Sequence, residues 1–440
     1  MSTNGDHGGV ITELVRGEWV DPITGSRPSI PIEDIVIRTT LDGAEAELVA
    51  ARHGGQSLTI VSDRYTHEAL GARVRRALEG AGVAVREHVW ERPVCSAEGV
   101  EAIRAATGGT DAVIAVGSGT INDTVKYACF LDDRPYSVFP TSPMNAYTTG
   151  TASVSFDGFK HSITCRGAKG VFFDLSVLAR CPPRLISAAF ADVICRTTAQ
   201  VDWLLSHLLL GTPYVETPYT LLAIDEGEMI ARAGDMRAED VGALALLTRI
   251  SAIMGLGTSF SETTHSGSMH EHMISHYIDM FAGEAHPGSS HGEQVGVASV
   301  TMSALQNETF GRESPPRLRA TDIPEARLRE RFSSEMADKL VAETRAKALT
   351  EATADALNER LDRDWPELRA RIAAAMLPFE TLRGAMRAAG CQTTATELGL
   401  APDFYREAVA DARWIRDRFG TLDFVGDGPG LDGFVRTMPL

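Results

Sequence analysis

Hydrophobic positions in the first 180 residues alternate between short strand-like runs and helical stretches. The runs are rich in β-branched and aromatic residues, and they fall at 57–63, 83–90, 111–120 and 136–141. Helical patterns lie between them, at 66–79 and 96–107. Strands separated by helices at this spacing predict a mostly parallel, doubly wound sheet. In such a sheet ligands bind at the carboxyl ends of the strands.

The pattern becomes helical after Pro182-Pro183. A single long buried helix is predicted from Arg184 to Leu210, and helical periodicity continues nearly to the end of the chain. The sequence therefore predicts three parts: a leader at 1–30 that packs late or loosely, an α/β domain at 31–182 and an all-α domain at 183–440. We expect a cleft between the two domains.

Composition limits the classes of partner. The 440 residues carry a formal net charge of −17, which argues against nucleic acid or an anionic membrane as the main partner. No apolar run approaches the length of a membrane span, and the N-terminus lacks a signal pattern. The six cysteines are scattered without a CxxC pair, as in reduced proteins. We expect a soluble cytoplasmic enzyme; the sequence leaves open whether it is a homo-oligomer.

The motif VGSGTINDTVKY follows an apolar strand and opens a helix. Gly117 and Gly119 allow backbone N–H groups to approach a phosphate, which a helix N-terminus also attracts. The spacing is not GxGxxG, because Asn122 stands three residues after Gly119, so a plain strand-to-helix connection is an equal alternative. Asp123 and Lys126 form either a solvated helix face or a polar pair directed at a cofactor.

Asp192 lies among small and apolar residues in the motif SAAFADVICR. A buried carboxylate needs a partner. That partner is either Arg196, one helical turn later, or a metal ion.

Four histidines lie in the motif HSGSMHEHMISHYIDM. SMHE is a capping box that predicts a helix beginning at Met269. His272 and His276 then share one face, whereas His270 points about 200° away from His272 and either faces solvent or packs structurally. His265 precedes the helix.

A second capping box, SHGE, begins another helix with His291 in its first turn. One carboxylate and two histidines from three helices form a usual catalytic Zn²⁺ set with an open fourth position. Thiolate ligands are not expected, because the cysteines lie away from these motifs. His286, in a loop, is expected to be exposed.

Seven segments occur in the order seen in the glycerol-1-phosphate dehydrogenase family, which the sequence resembles from about residue 35 to 430. They are GSGTINDTVKY, PTSPMNAYTTG, FDGFKHSI, PPRLISAAFADVICR, SGSMHEHMISHYIDM, HGEQVGV and DARWIRDRFGTLDF. The family belongs to the dehydroquinate synthase-like and iron-containing alcohol dehydrogenase superfamily. The resemblance implies a dehydroquinate synthase-like fold, in which the α/β domain binds a dinucleotide.

The resemblance also implies the site residues. Asp192, His272 and His291 would hold Zn²⁺, while His276 and Asn145 would contact the substrate. NAD or NADP would be contacted by residues of the glycine turn and of the next strand end. These residues are Gly117, Gly119, Thr120, Ile121, Asn122, Asp123, Thr141, Ser142 and Thr149.

Three departures from the family pattern bear on this assignment. Asn145 and Ala146 replace an Asp-Gly pair, which removes an acceptor-only charge, adds a donor and leaves the exact substrate open. Arg196 stands where this branch usually has Lys and where four-ligand iron enzymes have a histidine, which favours three-ligand zinc. SGSMHEH is two residues longer than the family's SGxEH.

These features predict a zinc-dependent, NAD(P)-linked dehydrogenase that interconverts a small, phosphorylated polyol or hydroxy compound and its ketone or aldehyde. Lys160 and Arg196 are either phosphate contacts or ordinary ion-pair residues. The alternative is a dehydroquinate synthase-like cyclase or lyase that uses NAD transiently, although that family's basic residues are not found. A binding module is disfavoured by the complete ligand set. Asp63 either favours NAD by binding the ribose or caps the next helix.

Overall fold

The computed structural model describes residues 5–156, 159–238 and 240–440, and the chain divides into two compact units. Unit 1 comprises Met1–Ala189 and Val215–Thr264, and unit 2 comprises Phe190–Tyr214 and His265–Leu440. Residues that follow the predicted boundary at 182/183 therefore belong to both units. The division into domains at 1–30, 31–182 and 183–440 stays a prediction. Asp157 and Gly158 of the FDGFKHSI motif lie outside the described residues.

The strands all belong to unit 1. They are β1 (Asp34–Arg38), β2 (Leu58–Asp63), β3 (Val85–Trp90), β4 (Ala112–Gly117), β5 (Tyr136–Pro140), β6 (Thr151–Phe156), β7 (Phe159–Thr164) and β8 (Gly170–Asp174).

The first half of the chain carries nine α-helices among its described residues. They are α1 (Val10–Val15), α2 (Glu45–His53), α3 (Arg64–Thr66), α4 (Ala72–Gly80), α5 (Ala97–Thr107), α6 (Gly119–Leu131), α7 (Leu175–Leu178), α8 (Pro183–Ile194) and α9 (Arg196–Leu210). A π-helical turn at His67–Gly71 joins α3 to α4.

The regular elements of the second half, among the residues that the structure describes, are helices. Its helices are α10 (Thr217–Ala231), α11 (Val241–Ser261), α12 (His270–Phe281), α13 (His291–Gly311), α14 (Glu325–Arg331), α15 (Ser334–Lys347), α16 (Glu351–Ala375), α17 (Phe379–Ala388), α18 (Pro402–Asp411), α19 (Thr421–Gly426) and α20 (Leu431–Thr437).

Six strands form a parallel sheet in the order β1-β8-β5-β4-β2-β3, and β6 and β7 form a separate antiparallel hairpin. Every residue of β2, β4, β5 and β8 is buried, as expected for strands covered on both faces. The chain leaves β2 toward β3 and β4 toward β5, in opposite directions. The carboxyl ends of β2 and β4 therefore flank the switch point at which such sheets bind ligands. The predicted parallel sheet is confirmed, while β1, β8 and the hairpin were not among the predicted strands.

Part of the segment before β1 packs against the rest of unit 1. Ile11 and Leu14 of α1 are buried, and the His7 N–H donates to the Ile37 carbonyl at 2.8 Å. Asp21 is fully buried. The amphipathic turn of α1 supplies the apolar face that packs, whereas residues 22–27 are exposed. The leader at 1–30 stays a prediction.

The long helix predicted from Arg184 to Leu210 is interrupted at Cys195. The Thr197 hydroxyl donates to the Ile194 carbonyl at 2.8 Å, and the Thr198 hydroxyl donates to the Cys195 carbonyl at 2.9 Å. Hydroxyl side chains that bond nearby carbonyls compete with the helical backbone pattern. The break separates α8 from α9 directly after the segment that carries Asp192.

Helix α11 is the one described helix long and apolar enough to cross a membrane, but 78% of its most apolar window is buried inside the protein. Arg249, in its middle, pairs with Asp225 at 2.5 Å. This environment is that of a core helix.

Candidate functional site

The glycine turn closes β4 and opens α6, with Ser118 as the N-cap. A Cβ atom at Gly117 would lie 2.7 Å from Cβ of the buried Ile121, so this position requires glycine. A Cβ atom at Gly119 would meet only Ala146, at 3.9 Å. The first turn of this 13-residue helix thus lies at the switch point with an uncrowded backbone, a favourable place for a phosphate.

Asp123 and Lys126 are not a solvated helix face. The fully buried Lys126 ammonium donates to the Ala146 and Thr151 carbonyls, both at 2.8 Å, and to Asp123 Oδ1 at 3.3 Å. Asp123 Oδ2 accepts from the Ser153 N–H at 3.1 Å. The pair therefore fastens the segment after β5, and the start of β6, to helix α6.

The segment after β5 carries the other predicted cofactor residues. The Thr141 N–H donates to the Gly117 carbonyl at 3.1 Å, which brings the ends of β4 and β5 together. The buried Ser142 hydroxyl bonds the Tyr147 hydroxyl at 2.8 Å, and Thr149 Oγ1 lies 3.0 Å from Thr151 Oγ1. Ser142 and Thr149 thus also shape this segment.

Asn145 opens a short 3₁₀ turn, Asn145–Tyr147. Its carbonyl oxygen and Thr148 Oγ1 would lie 2.3 and 2.2 Å from a Cβ atom at Gly255 of α11. The absence of a side chain at Gly255 is therefore what allows the turn to lie against α11.

Asp192, His272 and His291 come together in unit 2, one from each of α8, α12 and α13. Their ligand atoms all lie within 4.8 Å of one another, and Asp192 Oδ1 is 3.5 Å from His272 Nε2. Ligand atoms in tetrahedral zinc sites lie about 3.4 Å apart, given metal–ligand bonds of about 2.1 Å. Asp192 and His272 are 6% and 8% exposed. The three residues fit a tetrahedral ion once their ligand atoms move slightly closer together.

Hydrogen bonds fix the proton positions on both imidazoles. His272 Nδ1 lies 2.9 Å from Glu271 Oε1, a carboxylate that can only accept, so Nδ1 carries the proton. The Ser275 hydroxyl donates to Gln294 Oε1 at 2.8 Å and therefore accepts from His291 Nδ1 at 3.1 Å. Each ring therefore turns its Nδ1 proton toward Glu271 or Ser275, as ligating histidines usually do.

The electrostatics also favour a cation here. Burial lowers the pKa of His272, but the hydrogen bonds with Asp192 and Glu271 outweigh that effect and raise the pKa to about 9. Glu271, Ser275 and Gln294 were not among the predicted site residues. The sequence signal that could have identified two of them is helical spacing, because Ser275 stands one turn after Glu271 on the helix that carries His272.

His276 is half-buried beside the trio, with its ring centroid 6.4 Å from His272 and 5.7 Å from His291. The predicted shared face of His272 and His276 is thus observed. Arg196, the alternative partner of Asp192, is buried and donates to Gln200 Oε1 at 2.6 Å. The exposed Lys160 lies on β7, in unit 1.

Three other histidines of the sequence analysis, His270, His286 and His265, lie outside the trio. His270 is fully buried between Asp202 and Asp423, as in the packing alternative. His286 is not fully exposed, because it bonds Asp279 at 3.2 Å. His265 is half-buried beside Trp203 in unit 2.

The two capping boxes have different outcomes. SHGE caps α13 as predicted. At SMHE, however, helix α12 begins at His270, and Glu271 accepts from the Met269 N–H at 2.6 Å instead of from Ser268. Glu271 accepts from the N–H one residue later than predicted because its carboxylate also bonds His272 Nδ1. Asp63 caps α3 by accepting from Tyr65 and Thr66, which fulfils the capping alternative.

Comparison with known proteins identifies the chain's relatives. Residues 36–182 match the family model described as iron-containing alcohol dehydrogenase. The chain is 30% identical to a glycerol-1-phosphate dehydrogenase [NAD(P)+] from Methanoculleus marisnigri over 62% of its own length and 75% of the relative. It is 26% identical to a protein of the same name from Bacillus velezensis, over 95% and 97% of the two chains.

A solved glycerol dehydrogenase from Schizosaccharomyces pombe has the same fold, with a TM-score of 0.59 at 14% identity over 90% of this chain and 88% of that one. The chain therefore belongs to the glycerol-1-phosphate dehydrogenase family, within the iron-containing alcohol dehydrogenases. The resemblance stated from the motifs is confirmed, and the protein is an oxidoreductase.

Proposed function

We infer that this protein is a zinc-dependent, NAD(P)-linked dehydrogenase of a small phosphorylated polyol or hydroxy compound. The observation that carries this proposal is the convergence of Asp192, His272 and His291 within 4.8 Å, with both Nδ1 protons held away from the shared space. The names of the relatives support the nicotinamide cofactor and the phosphorylated substrate.

Bound zinc would polarise the substrate oxygen, and a bound nicotinamide would exchange hydride with the substrate carbon. The chain's own contribution is positional. Glu271 and Ser275 keep the two ligating imidazoles in the tautomer that exposes Nε2. His276, one turn from His272, orients the substrate hydroxyl and relays its proton.

The cofactor contacts divide into two kinds. Ile121 and Asn122 have buried side chains, so they would contact the dinucleotide through the backbone of the first turn of α6. Ser118, Gly119 and Thr120 are partly exposed and line the same turn. The remaining proposed contacts are Gly117, Asp123, Thr141, Ser142 and Thr149.

Asn145 and Arg196 are the proposed determinants of substrate choice. A neutral amide at 145 donates to a substrate oxygen where a carboxylate would only accept. Arg196 supplies a fixed positive charge four residues after a metal ligand, suited to a phosphate. We place the enzyme in the cytoplasm as a soluble protein.

The test is a screen of dihydroxyacetone phosphate and dihydroxyacetone with NADH and NADPH, alongside metal analysis. We expect net oxidation of the cofactor, preference for the phosphorylated compound and stoichiometric zinc. Asp192→Ala should lose both zinc and turnover, whereas Asp403→Ala, at an exposed helix position in unit 2, should keep them. A zinc-loaded protein without net turnover of NAD(P)H would instead favour the cyclase alternative.

A further inference from the structure

Cys195 lies next to the proposed zinc site, where no thiol was expected from the sequence. It occupies the break between α8 and α9, three residues after Asp192. Its fully buried Sγ donates to the Asp192 carbonyl at 2.8 Å and lies 3.5 Å from the Gly267 carbonyl. The expectation that all cysteines lie away from the histidine motifs is therefore wrong.

Cys195, Glu271 and His272 form a second set of potential ligands. Their ligand atoms lie within 4.8 Å of one another, and all three residues are buried. Glu271 Oε1 and His272 Nδ1 are 2.9 Å apart. His272 thus presents Nε2 to Asp192 and Nδ1 to this second set.

We propose that Cys195, Glu271 and His272 form an inhibitory site for a thiophilic divalent cation such as Cd²⁺ or excess Zn²⁺. Sulfur, carboxylate and imidazole together suit such ions. Two anionic ligands, a thiolate and a carboxylate, neutralise the charge of a divalent ion, which lowers the free-energy cost of burying it. Gly267, whose carbonyl oxygen lies against the thiol, is partly exposed.

Occupation of this second site excludes the first, because a neutral imidazole has one lone pair. When an ion binds at Nδ1 of the zinc-loaded protein, zinc would leave Nε2, the Nδ1 proton would move to Nε2, and the Cys195 thiol would release its proton to solvent. One proton is released for each ion bound. The Nε2–H bond then faces Asp192, and the proposed zinc site keeps only two ligands. This inhibition rests on the proposed function, whereas binding at Cys195 does not.

The test titrates zinc-loaded protein with CdCl₂ and records turnover, thiolate-to-cadmium charge-transfer absorption and proton release. We expect absorption and inhibition to rise together in the wild type. Cys195→Ser keeps a donor to the Asp192 carbonyl but removes the soft ligand. It should lose the absorption and need at least about tenfold more cadmium for inhibition, the usual effect of removing a group at a metal site.

Cys181→Ser is the matched control, because Cys181 is also buried but belongs to no potential ligand set among the described residues. It should behave as the wild type does. Absorption and inhibition that persist in Cys195→Ser, or protein that binds no second ion, would overturn the proposal. If the protein proves inactive with every substrate, the absorption and proton release still decide the question, so failure of the proposed function is recognised separately.

Discussion

His270 carries a central positive charge in a buried ion cluster of unit 2, and its replacement by glutamine measures what that charge contributes. Its Nδ1 lies 2.8 Å from Asp202, and its Nε2 lies 3.1 Å from Asp423. Burial lowers the pKa of His270, but the two carboxylates raise it to about 9, so the ring is a cation at neutral pH. Lys347 and Arg413 also contact Asp423, at 3.0 and 3.1 Å.

The size of the effect follows from the charge balance. With Asp427, which pairs with Arg413, the cluster contains three carboxylates and three cations and is neutral. His270→Gln leaves one excess negative charge among almost fully buried groups. Removing one partner of a buried pair costs about 3–5 kcal/mol. Because Asp423 keeps two cations and Asp202 keeps its other donors, we expect the lower end, about 3 kcal/mol.

Urea unfolding of the metal-free protein gives the free energy of unfolding directly, with an unchanged m-value indicating that the folded state is intact. His207→Gln is the matched control, because the half-buried His207 bonds the Thr212 backbone carbonyl at 2.7 Å and forms no ion pair among the described residues. We expect the control to cost under about 1 kcal/mol. Equal losses in the two variants would refute the reasoning, because they would mean that the charge of His270 adds nothing.

Three further predictions concern the metal, the segment after β5 and acid stability. Chelation should abolish turnover and added Zn²⁺ should restore it; activity of fully metal-free protein would contradict the zinc assignment. Gly255→Ala would place a Cβ atom 2.2 Å from Thr148 Oγ1, so the KM for the nicotinamide should rise while zinc content stays constant, and lost zinc with an unchanged KM would argue against it. Burial raises the pKa of Asp174, but hydrogen bonds from its neighbours and the Arg73 charge lower it below 3.8. The Asp174 carboxylate therefore stabilises the fold above that pH, and the contribution is lost as the pH falls through its folded pKa. Asp174→Asn should be less stable at neutral pH and show a flatter acid profile in thermal unfolding, and an unchanged profile would exclude this role.

Local patterns predicted the parts of the fold and site that depend on neighbours in sequence. Alternating strands and helices predicted the parallel sheet, and helical spacing correctly separated His270 from His272 and His276. The SHGE capping box predicted the start of α13. Each of these follows from the period of a helix or strand, which is visible in one segment.

The features that were missed depend on long-range contacts. Lys126 was expected on a solvated face or directed at a cofactor, but its acceptors at Ala146 and Thr151 lie 20 and 25 residues away. Similarly, the position of Cys195 beside His272 spans 77 residues of sequence. No periodicity within one segment reports such contacts, so a buried lysine resembles a surface one until the fold is known.

His272 illustrates why the position of a histidine alone does not define its role. Its two ring nitrogens face different groups: Nε2 faces Asp192, and Nδ1 faces Glu271. A neutral imidazole carries one proton, so the group that holds this proton decides which nitrogen can bind a metal. Glu271 also accepts from the Met269 N–H, so the start of α12 itself holds the carboxylate in place. The same carboxylate therefore caps α12 and orients the His272 ring, which explains why this glutamate leaves the usual capping position.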